Sequence, residues 1–302
     1  MSRLPISISD AFGRLLVGLL VGAIASVGTF VGSAAAAPPV WVVKDKNSEM
    51  LLFGSIHVLP PHLDWVPPAL DRALKAADDI WFELPIDPQS EADTATRAIK
   101  AGSLPPDGSL FKLLSPADSA LMSKVAQAYD ISPVLLDRLQ PWLAEIVMAG
   151  GAYRKAGADP ASGVEKTIAA VVTPKARRQA FETPAEQIDL LSGGSRTEQI
   201  DALRETMHEL DDRPEEYTAL VKAWVDGDVA ALDHEALAPI RDGSPDLFRR
   251  LVTERNARWT AVLDARMKGR GRTVVVVGIG HLIGPDGVPA RLRALGYLVT
   301  GP

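Results

Sequence analysis

The 302-residue sequence contains no cysteine. Disulfides, thiolate metal sites, a nucleophilic cysteine and a lipidated N-terminal cysteine are all excluded by that one absence. Cationic clusters are missing too: 32 Lys and Arg stand against 38 Asp and Glu, for a net charge of −6 with no basic tract. Phosphate backbones are bound by clustered Lys and Arg, so nucleic acid is not an expected partner. Hydrophobic residues make up 47% and charged residues 23% of the chain. Disordered, collagen-like and coiled-coil readings fail on that composition, and the length suffices for a sizeable core.

Only one long uncharged run is present, from Leu15 to Ala37, after Arg3 and Arg14. Its apolar centre fades into Ala34-Ala35-Ala36, the small-x-small pattern of a signal-peptidase site, and Pro38 stops any continuing helix. Residues 1–37 are therefore expected to be a signal peptide cut near Ala36. The mature protein is then periplasmic or secreted, with no stable membrane insertion. An uncleaved N-terminal anchor is the alternative, because ~20 apolar residues span a bilayer. Its glycines and terminal alanines dilute the hydrophobicity that a span would need.

The remainder, 38–302, reads as one α/β domain. Val40–Val43 and Met50–Gly54 flank the polar Lys44–Ser48, which predicts a hairpin. Leu70, Leu74 and Ala77 recur at helical spacing after Pro67-Pro68. Ile80–Leu84 is a short apolar run suited to a buried parallel strand. From about 90 to 270 the signals are mostly helical, with Arg178–Glu182 as a candidate strand. Ser115-Pro116 opens one of these helices as N-cap and first residue. Thr273–Gly278 is the strongest strand signal in the chain, followed by a short helix over Val288–Leu295 and a last strand at Tyr297–Val299.

An internal similarity organises these elements. Leu51–His57 is a strand running into Gly54-x-x-His57, and Val275–His281 repeats the pattern with Gly278-x-x-His281. Each is followed by a loop, an amphipathic helix and a short apolar strand. The two β-GxxH-α-β units should meet in a central mixed, largely parallel sheet, with the helical segment inserted between them. Ligands bind beyond the carboxyl ends of such strands, where His57, His281 and Glu83 would lie. The glycines are expected to bend the chain so that the imidazoles point back over the sheet edge.

Two neutral imidazoles and a carboxylate can hold a divalent ion with positions left open for water and substrate. The same residues can also perform acid–base chemistry without metal. Glu83 sits between Trp81, Phe82, Leu84 and Pro85, where a carboxylate needs a compensating cation or donor. His62, His208 and His234 read as solvent-facing, as do the runs Asp211-Asp212 and Glu215-Glu216. Arg255 and Trp259 share a helical face at i and i+4, so the indole can fix the guanidinium for pairing with Glu83 or for holding an oxyanion.

Gly54-Ser55-Ile56-His57 with Leu59-Pro60, the segment to Glu83, and the closing Val277–Gly284 with Gly296-Tyr297 resemble the TraB/GumN family, which is related to Tiki-type metalloproteases. Gln140-Pro141-Trp142, Phe181-Glu182-Thr183 with Gln187, Trp224 with Gly227-Asp228, and Arg255-Asn256 with Trp259 match its intermediate landmarks. Ser55 stands where threonine is common, and Glu165 where aspartate is frequent. The resemblance implies a metal-dependent, peptidase-like hydrolase of a peptide or small-molecule substrate. His57, Glu83 and His281 would ligate Mn, Co or Zn, and Arg255 and Asn256 would complete the catalytic set. Glu165 and Glu182 receive no role. The alternative is a non-catalytic periplasmic protein that sequesters a peptide or a metal-bearing small ligand in the same crevice.

Overall fold

Thr273–Gly278 lies at the heart of a six-stranded sheet. The computed structural model describes residues 37–302, so the expected signal peptide, apart from Ala37, lies outside the described residues. The strands are β1 (Val40–Lys44), β2 (Ser48–Ser55), β3 (Asp79–Phe82), β4 (Arg177–Ala180), β5 (Gly271–Gly278) and β6 (Leu298–Thr300). Their spatial order is β4-β3-β5-β2-β1-β6. The first four in that order run parallel, while β1 is antiparallel to both β2 and β6. Val274 to Val277 are buried, as a strand covered on both faces requires.

The expected pairing of the two GxxH strands is present: β2 and β5 are parallel neighbours, with Gly54 opposite Val277 and Ser55 opposite Gly278. The second unit closes differently from the first. Whereas β3 returns beside β5, β6 goes to the far edge and pairs with β1. The short exposed pattern of β6, with Leu298 largely in solvent, suits an edge and not a buried centre.

Helices in chain order are α1 (Pro68–Ala76), α2 (Pro88–Gly102), α3 (Pro116–Ala128), α4 (Pro133–Leu136), α5 (Pro141–Lys155), α6 (Val164–Val171) and α7 (Pro184–Ser192). They continue with α8 (Arg196–Asp212), α9 (Glu216–Asp226), α10 (Val229–Ala236), α11 (Ala238–Gly243), α12 (Pro245–Phe248), α13 (Glu254–Met267) and α14 (Val288–Ala294). Start signals act locally: Ser115 caps α3, and Thr183 and Ser195 open α7 and α8 with capping boxes. The helical run up to Met267 is not one regular α-helix: a π-helical turn at Arg249–Thr253 separates α12 from α13. Such turns occur often at functional sites, and this one delivers Arg255 and Asn256.

Two apolar cores result. One surrounds the sheet and includes Phe53, Trp65, Trp224, Trp259 and the β5 valines. The other, built on Leu110, Met122, Leu143, Met148 and Leu203, lies within the helical insertion. The carboxyl ends of the parallel strands open between them.

Candidate active site

Strand register places both histidines at one sheet edge. His57 follows β2 and His281 ends a 3-10 turn directly after β5, while Glu83 follows β3, whose Phe82 pairs with Val276. A Cβ built on Gly278 would lie 3.2 Å from Glu83 Oε1 and 3.7 Å from both His57 Nε2 and His281 Cδ2. Three side chains distant in sequence thus converge over one glycine. Neither Gly54 nor Gly278 has a left-handed φ, so the expected bend is not what they provide. Close approach is: a Cβ on Gly54 would fall 2.9 Å from the Cα of Ile279.

Arg255 holds the floor of this edge. Its Nε donates to Glu182 Oε1 at 2.7 Å, and Nη2 donates to Glu83 Oε2 at 2.6 Å and Glu182 Oε2 at 2.8 Å. Nη1 reaches Leu251 O at 3.3 Å and His281 Nε2 at 2.9 Å. All five guanidinium N–H groups therefore have acceptors, which leaves none for a substrate oxyanion. The guanidinium also lies over Trp259, 4.6 Å from the ring centroid, as the i, i+4 spacing suggests. Asn256 is held as well: Nδ2 donates to Asp286 O at 2.9 Å, and Oδ1 lies 2.7 Å from His281 Nδ1.

Electrostatics divide the two histidines. Burial is the largest influence on His281, and Arg255 adds to it; together they push its pKa down to about 3 and keep the ring neutral. For His57 burial also acts downward, but Glu165 and then Glu83 outweigh it, and its pKa is raised. Glu165 Oε1 lies 2.5 Å from His57 Nδ1 as an ion-pair contact. Burial would raise the Glu83 pKa, yet Arg255 and the two imidazoles hold it down at about 2, with Gly278 N–H donating to Oε1 at 2.6 Å.

Glu165 owes its position to Gly163. A Cβ there would sit 2.0 Å from the His57 carbonyl oxygen, so only glycine lets α6 start against the His57 loop. Val164 N–H bonds to Ile56 O at 3.2 Å and fastens that start.

These donors, as arranged, fit a guanidinium and not a divalent ion. The acceptor lone pair of His281 and one oxygen of Glu83 are bonded to Arg255, and the other oxygen takes the Gly278 N–H. Among the described residues no three His, Asp or Glu side chains are set to hold a metal ion. The expected Mn, Co or Zn therefore finds no support in this arrangement.

Above the site lies a cavity of about 450 Å³, walled by Trp142, Ile146, Leu190, Leu220 and Leu251 and reached by His57, Glu83 and His281. The family model for TraB/PrgY/gumN matches residues 39–301. The chain belongs to that family. No curated protein and no solved structure matches it. Several TraB/PrgY/gumN landmarks have structural reasons here. Trp224 Nε1 donates to Gly54 O at 2.8 Å, which fixes the strand before His57. Trp142 and Gln187 line the cavity.

Sequence reasoning left Glu165 and Glu182 without roles, although both are in direct contact with site residues. Glu182 had a readable signal: it follows the β4 strand as Glu83 follows β3, and its N–H bonds to Glu83 O at 2.9 Å. For Glu165 the single sequence carries no comparable cue. His62, His208 and His234 are exposed, as expected. Glu216, read as surface, is buried at 6% exposure because the first turn of α9 faces inward beside Tyr217.

Proposed function

We propose that this chain is an exported hydrolase of a peptide or another carbonyl-containing small molecule, with His57 as its general base. The observation that carries this reading is the placement of His57: Nε2 lies over Gly278 at the cavity while Glu165 holds Nδ1. An imidazole oriented by a carboxylate is the usual arrangement for moving a proton near neutral pH. Nε2 takes a proton from water as the water attacks the substrate carbonyl, and returns it to the leaving group. Glu83, Arg255, Asn256 and His281 are positioning residues in this scheme, and no step is routed through a metal.

Turnover of peptide and ester libraries tests it. His57→Asn should cost on the order of 10²–10⁴ in kcat with ligand binding retained. The apolar cavity wall favours a second reading, a periplasmic binding protein for a peptide or a metal-bearing small ligand. Tight binding with no cleavage of any library member would favour that reading. Export is tested by N-terminal sequencing of the processed protein, expected to start at Ala37 or Pro38; an intact N-terminus held in membranes would favour the anchor.

A further inference from the structure

A small side cavity of about 60 Å³ adjoins the main one, and the two share Glu145, Tyr153 and Tyr217 as walls. Glu145 projects from α5, where its recorded partner is Thr206 Oγ1 at a long 3.4 Å. The charge that acts on it is another carboxylate, Glu205. Among the described residues Arg213 is the one cation on the wall of the side cavity, 3.4 Å from Glu209 and 3.8 Å from Glu216, against the four carboxylates Glu145, Glu205, Glu209 and Glu216. Independently, Glu216 lines the same side cavity at 6% exposure, and its Oε1 has no hydrogen-bond partner. The two tyrosine rings lie together, with centroids 4.9 Å apart.

We infer that this side cavity is a subsite for a substrate's alkylammonium group. It rests on the hydrolase reading only in taking the main cavity as the place where the substrate's apolar body lies. An ammonium has three N–H donors and no acceptor, which matches a wall where four carboxylates stand against one guanidinium and, among the described residues, Glu145 has no cation beside it. The unpartnered, buried Oε1 of Glu216 is costly, and a bound cation relieves that cost. Burial, opposed by Thr206 and assisted by Glu205, pushes Glu145 up to about 7, consistent with an anion lacking its counter-charge. Tyrosine faces attract the same group through their quadrupoles. A volume of about 60 Å³ admits a head group of a few heavy atoms, while the longer apolar cavity accepts the chain attached to it.

Calorimetry on the full chain with n-octylammonium, 1-octanol and octanoate tests the subsite. Octylammonium should bind roughly 10–100-fold more tightly than octanol, and octanoate more weakly than either. Glu145→Gln should remove the preference for the ammonium and leave octanol binding unchanged; Glu216→Gln, at a second position, should reduce it. Equal affinity for octanol and octylammonium in the wild type would overturn the inference. So would a preference that persists in both variants. Calorimetry reads no turnover, so a chain that prefers the ammonium and hydrolyses nothing overturns only the hydrolase reading. One that hydrolyses without that preference overturns only the subsite.

Discussion

Arg255 Nη1 lies 2.9 Å from Nε2 of His281. Because arginine has no acceptor, Nε2 must be the lone-pair nitrogen, and the proton sits on Nδ1, where Asn256 Oδ1 receives it. That single contact settles the tautomer; burial, with Arg255 adding to it, holds His281 neutral, while Glu165 draws His57 the other way. In the proposed hydrolase these two titratable groups, pushed apart by their surroundings, divide the roles: His57 exchanges protons and His281 does not.

The pH–rate profile should follow His57. A base must be deprotonated to act, so kcat should rise with pH through a midpoint above the ordinary 6.5. Glu165→Gln removes the largest influence raising that pKa, and the midpoint should move down. An unmoved midpoint in the variant would assign the limb to another group.

Metal should be dispensable. After exhaustive chelation the protein should keep its turnover, and added Co²⁺ should show no absorption band from an imidazole-ligated ion. The His281 lone pair and Glu83 Oε2 are both committed to Arg255. One equivalent of bound cobalt that is lost in His281→Ala would restore the metal reading.

Replacing Arg255 with methionine strands Glu83 and Glu182, both buried, without their shared counter-charge. Breaking a buried pair from one side costs roughly 3–5 kcal/mol. Denaturant unfolding should show a loss of that order, and lysine should rescue it poorly, since an ammonium cannot bond both carboxylates and His281 in one plane. A loss under about 1 kcal/mol would mean the network is energetically idle.

Gly278→Ala separates geometry from stability. Its φ of −49° and ψ of 136° suit alanine, so the backbone is not strained. The new methyl nevertheless falls 3.2 Å from Glu83 Oε1 and 3.7 Å from His57 Nε2. Activity should fall about 10–100-fold with a stability change of about 1 kcal/mol or less. Wild-type turnover in this variant would remove the space over Gly278 from the reaction.

Acid should destabilise the fold through two site residues. Glu83 has a folded pKa of about 2 against an ordinary 4.5, so its contribution is complete above 4.5 and is lost as pH falls toward 2. His281, at about 3 against 6.5, takes a proton more readily when unfolded, so stability falls as pH drops below 6.5. His57 has the opposite sign: its raised pKa contributes below 6.5, and that contribution fades as pH rises through the folded value. Glu145, Glu209 and Glu216, pushed up to about 7, 8 and 7, also act with the opposite sign. The test is therefore NMR titration of the folded protein: Glu83 or His281 titrating at its ordinary value would contradict its assignment.

Local signals in the chain determined much of the fold by themselves. Val274–Val277 and Leu51–Phe53 could hardly be anything but buried strands, and Ser115-Pro116 and Thr183-Pro184 start helices through contacts within one turn. The repeated GxxH pattern was enough to bring β2 and β5 together, since equivalent units with buried faces pack side by side. Candidate residues His57, Glu83 and His281 could be chosen on that basis, Arg255 on its spacing to Trp259 and Asn256 on the family resemblance, and they do meet at one edge.

Tertiary structure alone decided what those residues do to one another. Nothing in the spacing of Glu182 or Glu165 says that one locks Arg255 and the other orients His57. Those contacts join α13 to β4 and α6 to the β2 loop across 73 and 108 residues of chain. Sequence periodicity reports which face of an element is apolar, because burial is nonspecific and roughly proportional to area. Hydrogen bonds and ion pairs depend on tenths of an ångström and on direction, so their partners are set only when separate elements dock. That is why the pairing of Arg255 with Glu83 was readable, while the locks that Glu182 places on Arg255 and Glu165 on His57 were not.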